Sequence, residues 1–191
     1  TMVSNDAAIL IGNHTLSLED VVRVARERQQ VADLSAEIIS KIERSADWVQ
    51  GKVREIEEKR GKDEKVDPIY GINTGFGANA GKAALPSAYH ARVLTRNLLA
   101  SHTVEVGEFF DEEIVRAAML IRAHALALGY SGVRPLIIQK LIEMLNQRLY
   151  PAIPSKGSLG ASGDLAPLSH LALVLSKVPT LRPEERDPLD I

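Results

Sequence analysis

Two glycine-rich stretches hold the residues best suited to chemistry. The first is Gly157-Ser158-Leu159-Gly160-Ala161-Ser162-Gly163-Asp164. A hydrolase nucleophile elbow needs G-x-S-x-G on a strand-turn-helix. Here Asp164 stands where the last glycine should be, and no strand is expected before the loop. The phosphate-cradling patterns G-x-x-x-x-G-K-[ST] and G-x-G-x-x-G are also absent. Two readings remain open. One is a glycine-rich turn feeding a capped helix. The other uses the backbone itself. A backbone nitrogen attacks a carbonyl two residues back only where the chain bends very tightly, and glycine offers the least hindered nitrogen and the freest dihedrals. Closure of the Gly163 nitrogen onto the Ala161 carbonyl would release one water, and loss of the Ser162 hydroxyl a second. The product would be a methylidene conjugated to an imidazolone, a strong electrophile made without an external cofactor.

The second stretch is Tyr70-Gly71-Ile72-Asn73-Thr74-Gly75-Phe76-Gly77, within a loop expected over 69–81. Its glycines and asparagines disfavour helix, and long glycine loops in compact domains are often functional. Taken alone, Tyr70 would be a surface tyrosine.

The wider context of both loops is specific. The fifteen residues from Pro154 to Leu168 (PSKGSLGASGDLAPL) resemble the signature of the histidine, phenylalanine and tyrosine ammonia-lyases, and Tyr70–Gly77 resembles the tyrosine loop of the same family. Arg96-Asn97-Leu98-Leu99-Ala100-Ser101-His102 is similar to the family's substrate-selector stretch, and Gly129-Tyr130-Ser131-Gly132-Val133-Arg134 to a family turn. The resemblance implies that Ala161, Ser162 and Gly163 form 4-methylidene-imidazol-5-one, to which the substrate amine adds. It implies that Tyr70 is the general base that takes the β-proton while the electrophile acts as electron sink. A phenol ordinarily keeps its proton to about pH 10, so that role calls for positive helix ends or donors around the oxygen. Asn73 and the pair Ser101-His102 are the implied substrate-binding residues and lean toward the histidine-type pattern. His102 is able to hydrogen-bond an imidazole, which an apolar side chain is not.

The expected activity is therefore elimination of ammonia from an aromatic L-amino acid, with L-histidine to urocanate as the leading reading. The runners-up are a phenylalanine or tyrosine ammonia-lyase, an aminomutase using the same ring, and a non-catalytic helical fragment. One departure stands out. Arg122-Ala123-His124 replaces the Arg-x-Asn of many family members, and His124 is expected to pack within a helix. His14, His90 and His170 receive no role, and no metal-ligand spacing is found.

The rest of the chain must position these residues. It has 191 residues, 45% hydrophobic and 25% charged, with only 4% aromatic, so a core is built mainly from aliphatic side chains. A net charge of -2 without a basic block argues against nucleic acid or an anionic membrane surface as partner. The absence of cysteine excludes disulfides, thiolate metal sites and a cysteine nucleophile. No run of the sequence is apolar for long enough to span a bilayer, and a cytoplasmic location is the expectation.

Apolar steps of three and four residues predict helices nearly throughout. One opens at Ser17 with Asp20 as a capping box. A long one covers 35–59 on the stripe Ile38, Ile42, Ala46, Val49, Val53 and Ile56. Another opens near Pro86-Ser87. The next starts at Asp111 on the stripe Ile114, Ala118, Ile121, Ala125 and Leu128, with Gly129 as its stop. Pro135 opens a further one, and Asp164 caps the last. The expected fold class is mainly α, the N-terminal portion of the fumarase/aspartase-like ammonia-lyase fold, with short strands and functional loops. Residues 1–178 are expected to form the ring-bearing portion and 179–191 a linker or tail. The resemblance covers well under half of a family member. The expectation is therefore a piece of a homotetrameric enzyme, lacking the C-terminal helical core and inactive alone.

Overall fold

The computed structural model describes residues 7–77, 80, 88–160 and 164–176, with the side chains of 88–92 excepted. It contains helices α1 (Leu18–Ala25), α2 (Ala36–Gly61) and α3 (Ala88–His102), strand β1 (Val106–Phe109), helices α4 (Glu112–Ala127) and α5 (Pro135–Gln147), strand β2 (Pro154–Lys156) and helix α6 (Leu165–Leu175). Helix dominates, as the periodicity predicts. Among the described residues, the only sheet is the antiparallel ribbon of β1 and β2, in which Val106 faces Lys156. Ile9 forms a single parallel bridge with Val31. The strand β2 is a correction, because the sequence gives no strand before Gly157. At three residues it is too short to show a period of two, and it holds only through its partner.

The chain divides into two compact units, each built from two separated segments. The first joins Thr1–Asp47 to Val106–Lys156, and the second joins Trp48–Glu105 to Gly157–Ile191. In the first unit α1 and α5 both pack on α4. Ser17 caps α1 reciprocally with Asp20, as local side-chain chemistry dictates. Pro135 supplies the fixed φ of the first helical position of α5. Gly129 takes φ +77 just past α4, where an added Cβ would lie 2.9 Å from Lys41 Cγ. The buried face of α4 is Val115, Arg116, Met119, Leu120, Ala123 and Ala127. The stripe expected from the sequence is the wrong one, and Ile114 and Ile121 point to solvent. Helix α4 is apolar on both faces, so periodicity alone does not choose between them.

Arg116 is the unexpected member of this core. It is 1% exposed. Its guanidinium donates to the Val24 carbonyl from Nε (2.9 Å) and Nη2 (2.6 Å) and to the Leu145 carbonyl (3.3 Å). It also donates to the Tyr150 hydroxyl. Val24 lies in the last turn of α1, where carbonyls lack helical partners and a cation is favoured. Arg116→Met keeps much of the volume but strands both carbonyls. It should lower stability by about 2–4 kcal/mol, read as a lower urea midpoint at unchanged slope. An unchanged midpoint would remove Arg116 from this role.

His124 behaves as expected for a packed residue. Its Nδ1 accepts from the Gly12 N–H at 3.3 Å. Burial first, and the charge of His14 second, hold it below the usual histidine range. In the second unit α3 packs against α6. The C-terminal half of α2 carries Glu55 between Lys52 and Lys59, whose hydrogen bonds hold its carboxyl down to about 2. No helix among the described residues is long and apolar enough to cross a membrane.

Candidate active site

The residues singled out for chemistry all belong to the second unit. The Tyr70 loop follows α2 through an irregular segment and is folded by its own polar side chains. Asn73 is buried, and its side chain is turned inward. Its Oδ1 accepts from the Ile69 N–H at 2.7 Å, and its Nδ2 donates to the Asp67 carbonyl at 3.0 Å. Thr74, also buried, donates to the Gly75 carbonyl at 2.9 Å. These bonds replace the helix or strand ladder that a glycine-rich sequence does not make. Gly71 takes φ +80, a turn conformation that glycine adopts without strain.

The result is an ordered platform beneath an exposed tyrosine. Tyr70 is 64% exposed. Its ring meets Phe76 edge-on, with centroids 5.8 Å apart. The Gly77 N–H points at the phenol oxygen from 3.4 Å. That backbone donor is of the kind the general-base role calls for.

At the C-terminal end of α3, His102 is half-buried. Its Nδ1 lies 2.8 Å from the Leu98 carbonyl oxygen. A carbonyl only accepts, so Nδ1 carries the proton and Nε2 of the neutral ring is left as an acceptor. The exposed Ser101 hydroxyl donates to the same carbonyl at 2.9 Å and lies 3.1 Å from Nδ1. Serine and histidine therefore share one backbone anchor, which sets the orientation of the ring.

Ala161, Ser162 and Gly163 lie outside the described residues, but both flanks are described. The Ser158 hydroxyl accepts from the Gly160 N–H at 3.0 Å and donates to the Asp164 carboxylate. This clasp joins the start of the loop to its end. Gly160 has φ +72 and Asp164 φ 55, so the chain turns through the left-handed region on both sides of the tripeptide. Asp164 occupies the N-cap position of α6, but its side chain makes no cap bond, contrary to the sequence expectation. Its carboxylate is committed to Ser158 instead. The first N–H groups of α6 thus receive no bond from it, leaving a positive helix end next in sequence to the tripeptide.

Such surroundings fit an electrophilic ring. The clasp and left-handed turns suit a tightly bent backbone, and an uncapped helix start favours charge developing beside it. The sequence reading gave Ser158 no role; its place two residues before Gly160, the spacing of a serine turn, is the signal that was present. Two ionisable residues also missed, Glu105 and His170, approach each other at 3.3 Å. No group of three His, Cys, Asp or Glu among the described residues is placed to hold a metal ion.

Comparison with known proteins agrees with this architecture. The family model "Aromatic amino acid lyase" matches residues 16–182. The histidine ammonia-lyase of Geobacillus sp. (strain WCH70) is 46% identical over 167 residues, covering 87% of this chain and 30% of the relative. The crystal structure of tyrosine aminomutase from Streptomyces globisporus superposes with a TM-score of 0.74 at 38% identity, covering 88% of this chain and 29% of that one. The ergothioneine-degrading enzyme ergothionase from Treponema denticola gives a TM-score of 0.75 at 30% identity, over 87% of this chain and 31% of that one. The chain thus spans about 30% of the length of the curated relatives it matches. The mainly helical structure is the lyase fold in its N-terminal part, and the chain belongs to the aromatic amino acid lyase family.

Proposed function

We propose that this chain is the ring-bearing part of an ammonia-lyase that converts L-histidine to urocanate. The observation that carries the reading is the Ser158–Asp164 clasp around Ala161-Ser162-Gly163 at an uncapped start of α6. The 4-methylidene-imidazol-5-one made from that tripeptide supplies an electrophile that turns the substrate amine into a leaving group. Tyr70 removes the β-proton, and the Gly77 N–H stabilises the phenolate that this task requires. Asn73 serves the substrate by holding the Tyr70 loop, since its own bonds tie that loop to Asp67 and Ile69 just before it. Ser101 and His102 select the substrate. Residues 1–178 act as this portion and 179–191 as a connection, and the part of the relatives not matched here completes the site. The working enzyme is a cytoplasmic homotetramer whose partner is a small aromatic amino acid, without metal, nucleic acid or membrane.

The histidine reading rests on the Nε2 acceptor of His102, which is complementary to an imidazole N–H, and on identity to enzymes named histidine ammonia-lyase. In the full-length protein His102→Leu should lower kcat/KM for histidine by about 10²-fold or more and raise the rate on phenylalanine or tyrosine relative to histidine. Steady-state rates on the three amino acids check this, and an unchanged ratio removes His102 as selector. The likeness to tyrosine aminomutase keeps a second reading in view. Product analysis separates them, because a mutase returns the amine to the β-carbon and yields a β-amino acid.

A further inference from the structure

Glu105 is buried where nothing in the proposed reaction uses it. It follows α3 and immediately precedes β1, and Gly157 immediately follows β2. Because Val106 faces Lys156 in the ribbon, the next residues along each strand, Glu105 and Gly157, are brought side by side. They touch so closely that a Cβ built on Gly157 would lie 2.3 Å from Glu105 Cγ and 3.1 Å from both its Cβ and Oε1. Glycine at 157 is therefore required by the glutamate, not by a turn.

The Glu105 side chain is 1% exposed. Its Oε2 lies 3.3 Å from His170 Nε2 on α6, an ion-pair distance without the alignment of a hydrogen bond. Neither carboxylate oxygen, nor His170 Nε2, has a hydrogen-bond partner among the described residues.

We propose that Glu105 is a positioning residue for the ring-forming loop, holding Gly157 before Ala161-Ser162-Gly163 and, through His170, helix α6 after it. The inference rests on the reading that the tripeptide matures into a ring. Its physical basis is that one side chain grips both flanks of a segment whose closure demands tight geometry. Strained backbone persists only where its surroundings over-determine it. The Ser158–Asp164 clasp joins the ends of the loop, and Glu105–His170 would fix the clasped loop to the rest of the unit.

Stability alone does not account for the residue. A buried carboxylate without hydrogen bonds is costly. Burial pushes the Glu105 carboxyl up from its usual range, the charge of His170 opposes this, and Asp164 adds to it. A carboxyl raised in the folded state favours the fold while protonated and works against it as pH climbs through the raised value. Burial of the ionised carboxylate is thus a cost to the fold.

The test uses the full-length protein and two readouts. One is the rate at which the loop peptide of freshly synthesised protein loses two waters, followed by mass spectrometry. The other is the urea midpoint at pH 7. Glu105→Gln keeps the shape and removes the charge. It should leave the midpoint no lower than wild type while slowing dehydration at least about threefold, as small misplacements of reacting groups do. Gly157→Ala should slow it as well, and Glu105→Gln should add little in a His170→Gln background, because the two act as one unit. Unchanged dehydration in Glu105→Gln overturns the proposal. So does slowing matched by a parallel loss of stability, which would make the residue scaffold only, and so does additivity with His170→Gln. A wild-type peptide that never loses two waters overturns the ring reading itself, and this inference with it.

Discussion

Ser162→Ala in the full-length protein should abolish the loss of two waters and lower ammonia release from histidine by about 10³-fold or more, the scale on which removal of the covalent centre of an enzyme acts. Alanine has no hydroxyl to lose. Even if the Gly163 nitrogen still closes on the Ala161 carbonyl, only one water departs and no methylidene forms. The amine then has nothing to add to and remains a poor leaving group. The clasp and the start of α6 lie on either side of residue 162, so the exchange should leave the urea midpoint close to wild type. Intact mass and an ammonia assay decide the matter together. An active Ser162→Ala protein, or a wild type at its full unmodified mass, would end the electrophile reading.

The second large effect is expected from Tyr70→Phe. Removing a general base typically costs 10²–10⁴-fold in rate, and about 10³-fold is expected here in kcat with little change in KM. The geometry makes this a clean test. Phenylalanine preserves the edge-on contact with Phe76. Among the described residues the only lost partner is the Gly77 N–H, which stands 3.4 Å away and contributes little to folding. The loop is held from below by Asn73, which the substitution does not touch. A Tyr70→Phe protein with near-normal kcat would assign the proton abstraction elsewhere. A large rise in KM at normal kcat would make Tyr70 a binding residue.

What the sequence made legible follows from how far each signal reaches. The Ser17–Asp20 box, the first-turn Pro135 and the glycine stop at 129 are written in a few neighbouring residues, and all appear where expected. The helical character of the chain is equally local. The face of α4 was not legible, because Ile114 and Val115 are equally apolar and only contact with α1 and α5 decides between them. That each unit is built from two separated segments is likewise a matter of distant contacts.

At the site, Tyr70 and the Ser101-His102 pair were identifiable from their surrounding motifs. The inward turn of Asn73 was not, since its partners Asp67 and Ile69 become neighbours only once the loop folds. Glu105 carries no motif at all, and its meaning comes from Gly157 and His170, residues 52 and 65 positions away.

The buried guanidinium of Arg116 has a consequence for the order in which the protein is made. It closes α1 by bonding to Val24, 92 residues earlier in the chain. A ribosome adding roughly 5–20 residues per second needs about 5–18 s to cover that distance. Throughout that interval the last turn of α1 has open carbonyls and no α4 to cover Val24 and Ala25. Helix α1 is thus secured only once α4 has been made. In a cell, its survival during translation depends on whatever shields a nascent chain from proteases and from other unfinished chains.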